Sequence, residues 1–327
     1  MSTPDHLPDF ADVEAAAERL RGVAAATPLL ESEALNERVG GRVLLKPECL
    51  QRTGSFKFRG AYNTISQIDA GAVVAYSSGN HAQGVAAAAR LLRKRATIVM
   101  PADAPAIKIE STRAHGAEVR PYDRATESRE EIGAAIAAGT GAALIKPYDD
   151  PRIIAGQGTV GLELAAQLRD LDARPDVALA PCGGGGLIAG CALALGAAFP
   201  EIALYAVEPA GLDDTARSLE AGARRANAPG ATSICDALLI PTPGELTFAI
   251  NRRLLTGGLT VTDDEVRGAM AFAFRYLKLV VEPGGAAALA AVLSGKLPLE
   301  HRTAAVVLSG GNVDPALFAA AITGRSA

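Results

Sequence analysis

Ser55-Phe56-Lys57-Phe58-Arg59-Gly60 follows the apolar run Val43-Leu44-Leu45 and the breaker Pro47, so it lies where a strand hands over to a helix. A lysine is a poor choice at a helix start, because the dipole there favours negative charge. Its neighbours are a small hydroxyl residue and an aromatic ring, not carboxylates that would pair it. An ammonium without a counter-charge and partly out of water has a lowered pKa, which is what a lysine needs to condense with a carbonyl. A surface lysine opening an ordinary helix would look the same locally. The reading therefore depends on what distant turns supply.

Outward from this stretch, strand-like runs alternate with helical ones. Asp12 to Ala25 reads as an amphipathic helix closed by Thr27-Pro28. Ala72–Tyr76 precedes a helix through Val85–Leu92, Ala96–Met100 one through Ile107–His115, and Glu118–Arg120 one through Ser128–Ala138; Ala143–Ile145 closes the block. After Pro147-Tyr148-Asp149-Asp150-Pro151 come a helix through Thr159–Leu168, a strand Val177–Ala180, a helix from Gly186 and a strand Ala203–Val207. Thr262-Asp263-Asp264-Glu265 is a capping box opening a helix to about Leu277. Ala286–Leu293 reads as a further helix and Ala304–Leu308 as the last strand. The alternation predicts an α/β protein of two open, mainly parallel domains. The large one takes residues 1–62 and 150–327, the small mobile one 72–146, with linkers at 63–71 and 147–149.

Composition narrows the function classes. The 327 residues are 49% apolar and 21% charged, as in an ordinary globular protein. Net charge is 32 − 36 = −4 without a long run of either sign, so nucleic acid and anionic membrane are not expected partners. The N-terminus lacks the basic and apolar regions of a signal peptide, and Cys49, Cys182, Cys191 and Cys235 show no zinc spacing. A cytoplasmic protein is the expectation. The uncharged run from Val177 to Pro200 has membrane-spanning length, but Pro181 and four glycines make it a strand, a turn and a buried helix.

Three turns carry candidate chemistry. Ser77-Ser78-Gly79-Asn80-His81 follows a strand and opens a helix, where exposed N–H groups suit a carboxylate or phosphate. Cys182-Gly183-Gly184-Gly185-Gly186-Leu187 places four glycines between strand and helix, at roughly 1 kcal/mol each against alanine, so bare backbone amides are needed there. Gly184-x-Gly186-x-x-Ala189 with Glu208 after the next strand also fits a dinucleotide fingerprint, which leaves Lys57 without a task. Ser309-Gly310-Gly311-Asn312 sets a hydroxyl at the end of the last strand. A reactive lysine, a phosphate cradle, a carboxylate cradle and a hydroxyl at a strand end suit pyridoxal phosphate bound as a Schiff base, with an amino acid as substrate.

The chain resembles the fold-type II pyridoxal-phosphate enzymes (tryptophan-synthase-β-like), specifically the threonine/serine dehydratase and serine racemase group. The resemblance covers nearly the full length. It rests on Gly54 to Gly60, Ser77 to His81, Ile154-Ala155-Gly156-Gln157-Gly158-Thr159, the tetraglycine and Leu308-Ser309-Gly310-Gly311-Asn312-Val313. It implies a cofactor in the cleft between the domains, with Lys57 as the Schiff-base lysine that later moves the α-proton. Phe56 would lie near the ring, Asn80 would bond its 3-hydroxyl, Gly183, Gly184, Gly185 and Gly186 with the Leu187 amide would hold the phosphate, and Ser309 would face the pyridine nitrogen. Ser77, Ser78, Gly79, Asn80 and His81 would grip the substrate carboxylate, and Ser78 matches the second acid/base of racemase-like members. Glu208, the Leu212 carbonyl and Asp214 match a structural cation loop suited to Mg²⁺ or Ca²⁺. Arg129 matches a position near the substrate entrance, and with Lys146 could receive a second carboxylate; Asp236 matches a substrate-side position and would oppose such an anion.

The implied activity is dehydration and deamination of an L-3-hydroxy amino acid, threonine or serine first, to a 2-oxo acid and ammonia. Serine racemase and 3-hydroxyaspartate dehydratase are the alternatives within the group, and a nicotinamide-dependent oxidoreductase is the one outside it. Relatives suggest a homodimer. The chain ends soon after Ser309, so a C-terminal regulatory domain is not expected.

Overall fold

A computed structural model describes residues 6–77, 79–104, 106–123 and 125–324. Ten strands in the described residues form two sheets. The first runs in the order β1 (Leu30–Glu31), β2 (Arg42–Pro47), β10 (Thr303–Leu308), β7 (Val177–Pro181), β8 (Ala203–Pro209), β9 (Gly257–Val261). Only the β1–β2 pair is antiparallel; every other neighbouring pair is parallel. The second sheet is wholly parallel, in the order β5 (Glu118–Tyr122), β4 (Arg95–Pro101), β3 (Ala72–Tyr76), β6 (Ala143–Leu144).

Alternation along each strand builds the core. Val177, Leu179, Val207 and Val306 face helices Asp263–Phe272 and Pro283–Leu293, while Ala178, Ala180, Leu204 and Val307 face helices Pro151–Asp170 and Gly186–Ala198. In the second sheet Val73, Ala75, Ile98 and Met100 pack on helix Asn80–Leu91 and on helix Lys57–Ile65, through Phe58, Ala61 and Ile65. Helix Lys57–Ile65 also packs on helix Pro151–Asp170, so it touches both halves of the molecule.

Several expected boundaries move for identifiable reasons. The first helix spans Phe10–Leu20, because Asp9 and Asp12 close a capping box upstream of Asp12 and the chain turns left-handed at Gly22. The helix expected from Thr159 begins at Pro151, capped by the Asp150 side chain on the amides of Arg152 and Ile153. Its glycines are contact points rather than breakers: a Cβ on Gly158 would fall 2.7 Å from Val13 and 2.8 Å from the Gly190 carbonyl. The capping box at Thr262 is present, but its helix is α-helical to Phe272 and continues as a π-turn over Ala273–Leu277. Helices Asp214–Ala221 and Glu245–Leu254, and strand β9, had no counterpart in the sequence reading. Among the described residues no helix is long and apolar enough to cross a membrane.

Candidate active site

The two sheets face each other across a cavity of about 530 Å³, and the turns singled out in the sequence converge on it. Each follows the carboxyl end of a parallel strand, where open α/β sheets bind ligands. Lys57 is the first residue of its helix. Its Nζ donates to the Pro147 carbonyl at 2.7 Å and lies 5.2 Å from the Phe56 ring centroid. Burial of the amine pushes its pKa down to about 8, against a smaller upward pull from Glu282. The amine therefore has a sizeable neutral fraction near pH 7.

The glycine loop leaves no room for a side chain at its two middle positions, Gly184 and Gly185. Gly185, at φ +89°, is the N-cap of helix Gly186–Ala198. A Cβ on it would meet Asn251 Nδ2 at 2.8 Å, and one on Gly184 would sit 2.4 Å from the Tyr148 ring. Thr247 Oγ1 donates to the Gly184 carbonyl at 2.7 Å and fixes the loop from behind. The first amides of a helix have no intrahelical acceptor, so a phosphate group fits this cradle.

Opposite stands the second helix start. Asn80 and His81 begin helix Asn80–Leu91, with Gly79 at its cap. The Gly79 amide donates to Ser77 Oγ at 3.3 Å. His81 Nε2 lies 3.1 Å from the Ile145 carbonyl, and burial with the nearby Lys57 charge pushes its pKa down to about 3. The ring is neutral, with its Nδ1 buried and unpartnered among the described residues. Ser309 completes the wall: it is buried, its amide donates to the Gly285 carbonyl at 3.3 Å and its carbonyl accepts from the Phe56 amide at 3.1 Å. Ser78 lies outside the described residues.

Arg129, Lys146 and Asp236 also line the cavity. Asp236 is ion-paired to Lys108, so the charge expected to oppose an incoming anion has a cation beside it. Arg129 Nε donates to Glu130 at 2.8 Å, and its guanidinium lies 5.5 Å from the Tyr76 ring centroid. Among the described residues, Lys146 Nζ has only the Asp149 carbonyl, at 3.4 Å, as acceptor.

The expected cation loop lies apart from the cavity lining. Both Glu208 oxygens accept backbone amides, from Thr215 at 2.9 Å and Ala216 at 2.8 Å. Asp214 Oδ1 accepts from Asn227 Nδ2 at 2.6 Å, while its buried Oδ2 has no partner among the described residues. Burial, with each acid's like-charged neighbour adding to it, pushes Glu208 up to about 8 and Asp214 to about 6. Among the described residues no group of three or more His, Cys, Asp or Glu side chains is arranged to hold a metal ion.

Sequence reading missed Tyr148, Lys108 and Glu282 in the cavity wall. Glu282-Pro283 at the head of an apolar helix was the available signal for the last, because glutamate is not a preferred N-cap and its side chain caps no amide here.

Comparison with known proteins agrees with this geometry. The family model described as pyridoxal-phosphate dependent enzyme matches residues 20–310. The L-threo-3-hydroxyaspartate ammonia-lyase of Pseudomonas sp is 44% identical over 322 residues, 97% of this chain and 99% of its own. Among solved structures, the threonine deaminase of T.th. superposes with a TM-score of 0.89 at 45% identity, covering 94% of this chain and 99% of that one. Maize serine racemase gives 0.90 at 37% identity, covering 98% of each.

Proposed function

Because the chain belongs to the pyridoxal-phosphate-dependent enzymes, we propose that it is an ammonia-lyase of L-3-hydroxy amino acids, with the dicarboxylate L-threo-3-hydroxyaspartate ahead of threonine and serine. The observation that carries this choice is the charge of the cavity wall. Lys108 offsets the charge of Asp236, and Lys146 stands beside the site with no carboxylate partner among the described residues. The relative of that name from Pseudomonas sp supports the same preference.

When bound, pyridoxal phosphate supplies an aldehyde carbon for an amine and an electron sink for charge at the α-carbon. The chain's own residues do the rest. Amides of Gly183 to Gly186 and Leu187 would hold the phosphate, Phe56 would lie near the ring, Asn80 would bond the ring hydroxyl and Ser309 would face the ring nitrogen. The helix start from Ser77 to His81 orients the substrate α-carboxylate. Lys57 Nζ, in the neutral form that burial makes accessible, takes the α-proton, and hydroxide departs from Cβ. Arg129 and Lys146 receive the side-chain carboxylate.

The test is 2-oxo acid release from L-threo-3-hydroxyaspartate, L-threonine, L-serine and D-serine, with wild type and Arg129→Ala/Lys146→Ala. Loss of the two cations should raise KM for hydroxyaspartate by about a hundredfold and leave threonine within a few-fold. Equal losses on both substrates would overturn the subsite. D-amino acid appearing without oxo acid would make the protein a racemase instead.

This reading also assigns a cytoplasmic homodimer and a structural Mg²⁺ or Ca²⁺ near Glu208, Leu212 and Asp214. The unpartnered Asp214 oxygen beside a second buried acid supports the cation, while Glu208 has one lone pair per oxygen already engaged. Chelation should lower the melting temperature by a few degrees, and Asp214→Asn should abolish that response. An unchanged melting temperature would remove the cation, and light scattering at one chain mass would remove the dimer.

A further inference from the structure

Asn80 belongs to a helix packed on the second sheet, yet both ends of its amide are held from the first. Nδ2 donates to Glu282 Oε1 at 2.5 Å, and Oδ1 accepts from Asn312 Nδ2 at 2.7 Å. The same Asn312 nitrogen donates to the Thr53 carbonyl at 2.7 Å. Glu282 is wedged against the turn after β10: its amide donates to the Gly310 carbonyl at 3.0 Å, and a Cβ on Gly310 would fall 2.2 Å from its Oε1. The Gly311 amide donates to the Gly54 carbonyl at 2.9 Å, which joins this frame to the segment leading into Lys57.

The direction of these bonds follows from one group that cannot reverse its role. The Thr53 carbonyl only accepts, so the Asn312 atom facing it must be the NH₂ nitrogen. That nitrogen also faces Asn80, so the Asn80 atom opposite it must be the carbonyl oxygen. Its NH₂ is then turned towards Glu282, where one hydrogen is used and the second remains for the cavity. A flipped Asn80 would set NH₂ against NH₂ at Asn312 and, while Glu282 is ionised, oxygen against oxygen at the other end.

We propose that Asn312 and Glu282 are positioning residues that fix the Asn80 amide so that it offers the cofactor ring oxygen a hydrogen and never its own oxygen. The inference rests on the placement of that ring oxygen at Asn80. A donor fixed in advance stabilises negative charge on the ring oxygen without reorganisation when the cofactor arrives. Burial and the Asp236 charge push Glu282 up to about 8, while Asn80, Lys108 and Lys57 pull it back. Oε1 accepts from Asn80 in either state, because a carboxyl protonated on one oxygen still accepts on the other.

The experiment titrates each apoprotein with pyridoxal phosphate and reads the dissociation constant and the visible absorption band. Asn312→Ala and Glu282→Leu should each weaken cofactor binding about tenfold and shift absorbance from the visible band towards the near ultraviolet. Glu282→Gln keeps the acceptor and should stay within twofold of wild type. Asn312→Ser, with a single hydrogen to donate, should fall between wild type and alanine, and it serves if the alanine variant does not fold. In an Asn80→Ala background neither change should add to the loss, since both act through that amide. Additive losses there, or a wild-type band and affinity in Asn312→Ala, would overturn the inference. If Asn80→Ala alone keeps the wild-type band and affinity, the placement of the ring oxygen at Asn80 fails instead.

Discussion

Lys57 is buried and donates to a backbone carbonyl rather than to a carboxylate, so burial lowers its basicity against only a smaller pull from Glu282. With a pKa of about 8, about a tenth of the amine is neutral at pH 7, against about one part in three thousand for an ordinary lysine. The sign follows directly: lowering the pKa enlarges the deprotonated, nucleophilic fraction below it. Capture of pyridoxal phosphate by the apoprotein, followed by stopped flow, should speed up about tenfold per pH unit below pH 7.5 and level off above about 8.5. A rate still climbing steeply at pH 10 would contradict the burial argument. Lys57 was legible in the sequence because a lysine at a helix start with no acid beside it coincided with three distant glycine- and serine-rich turns. The Asp236–Lys108 pair was not, since a tertiary contact across the cavity leaves no mark on either segment.

At the scale of elements, the glycines divide into those that turn the chain and those that let helices meet. The first kind was readable: four in a row between strand and helix had to serve the backbone. The second kind misled, because Gly156 and Gly158 resemble a loop until Gly60 of the lysine-bearing helix is placed against the first and Gly190 of the crossing helix against the second. A Cβ on Gly190 would fall 2.4 Å from the Gly158 amide nitrogen and the Ile154 carbonyl oxygen. Gly196, on the same helix, would meet nothing within 4 Å. Urea unfolding should therefore show Gly190→Ala destabilised by about 3 kcal/mol, through overpacking against immovable backbone. Gly196→Ala should be unchanged or stabilised by about 0.5–1 kcal/mol, through the unfolded chain's lost freedom. Similar values for the two would mean that the crossing is looser than these distances describe.

For the molecule as a whole, the α/β class and the parallel strands were legible from alternation. The charged centre was not, because lysine, arginine and glutamate read as surface. Arg59 is buried two residues beyond Lys57 and donates to both Glu48 oxygens at 2.7 Å and to Glu163 Oε2 at 3.1 Å. Lys46, fully buried, donates to Glu163 Oε1 at 2.5 Å, Gln167 Oε1 at 2.8 Å and the Thr27 carbonyl at 2.7 Å. This network ties the lysine-bearing helix to β2 and to helix Pro151–Asp170. Arg59→Met should cost about 3–5 kcal/mol in urea unfolding because it strands the buried Glu48, and adding Glu48→Met should recover much of that loss. A double variant no better than the single one would show that packing, not the stranded charge, carries the cost.

The parallel sheets have one more consequence, for how freely the chain can be rewired. Every turn assigned to the site leaves the carboxyl end of a strand, so the opposite edge holds only connections, such as Asp172–Asp176 before β7 and Gly295–Arg302 before β10. Most residues in these connections are exposed. New termini, tags or inserted domains placed there would enter solvent and leave every site turn covalently whole. The same insertion at the other edge would cut through the cradle itself.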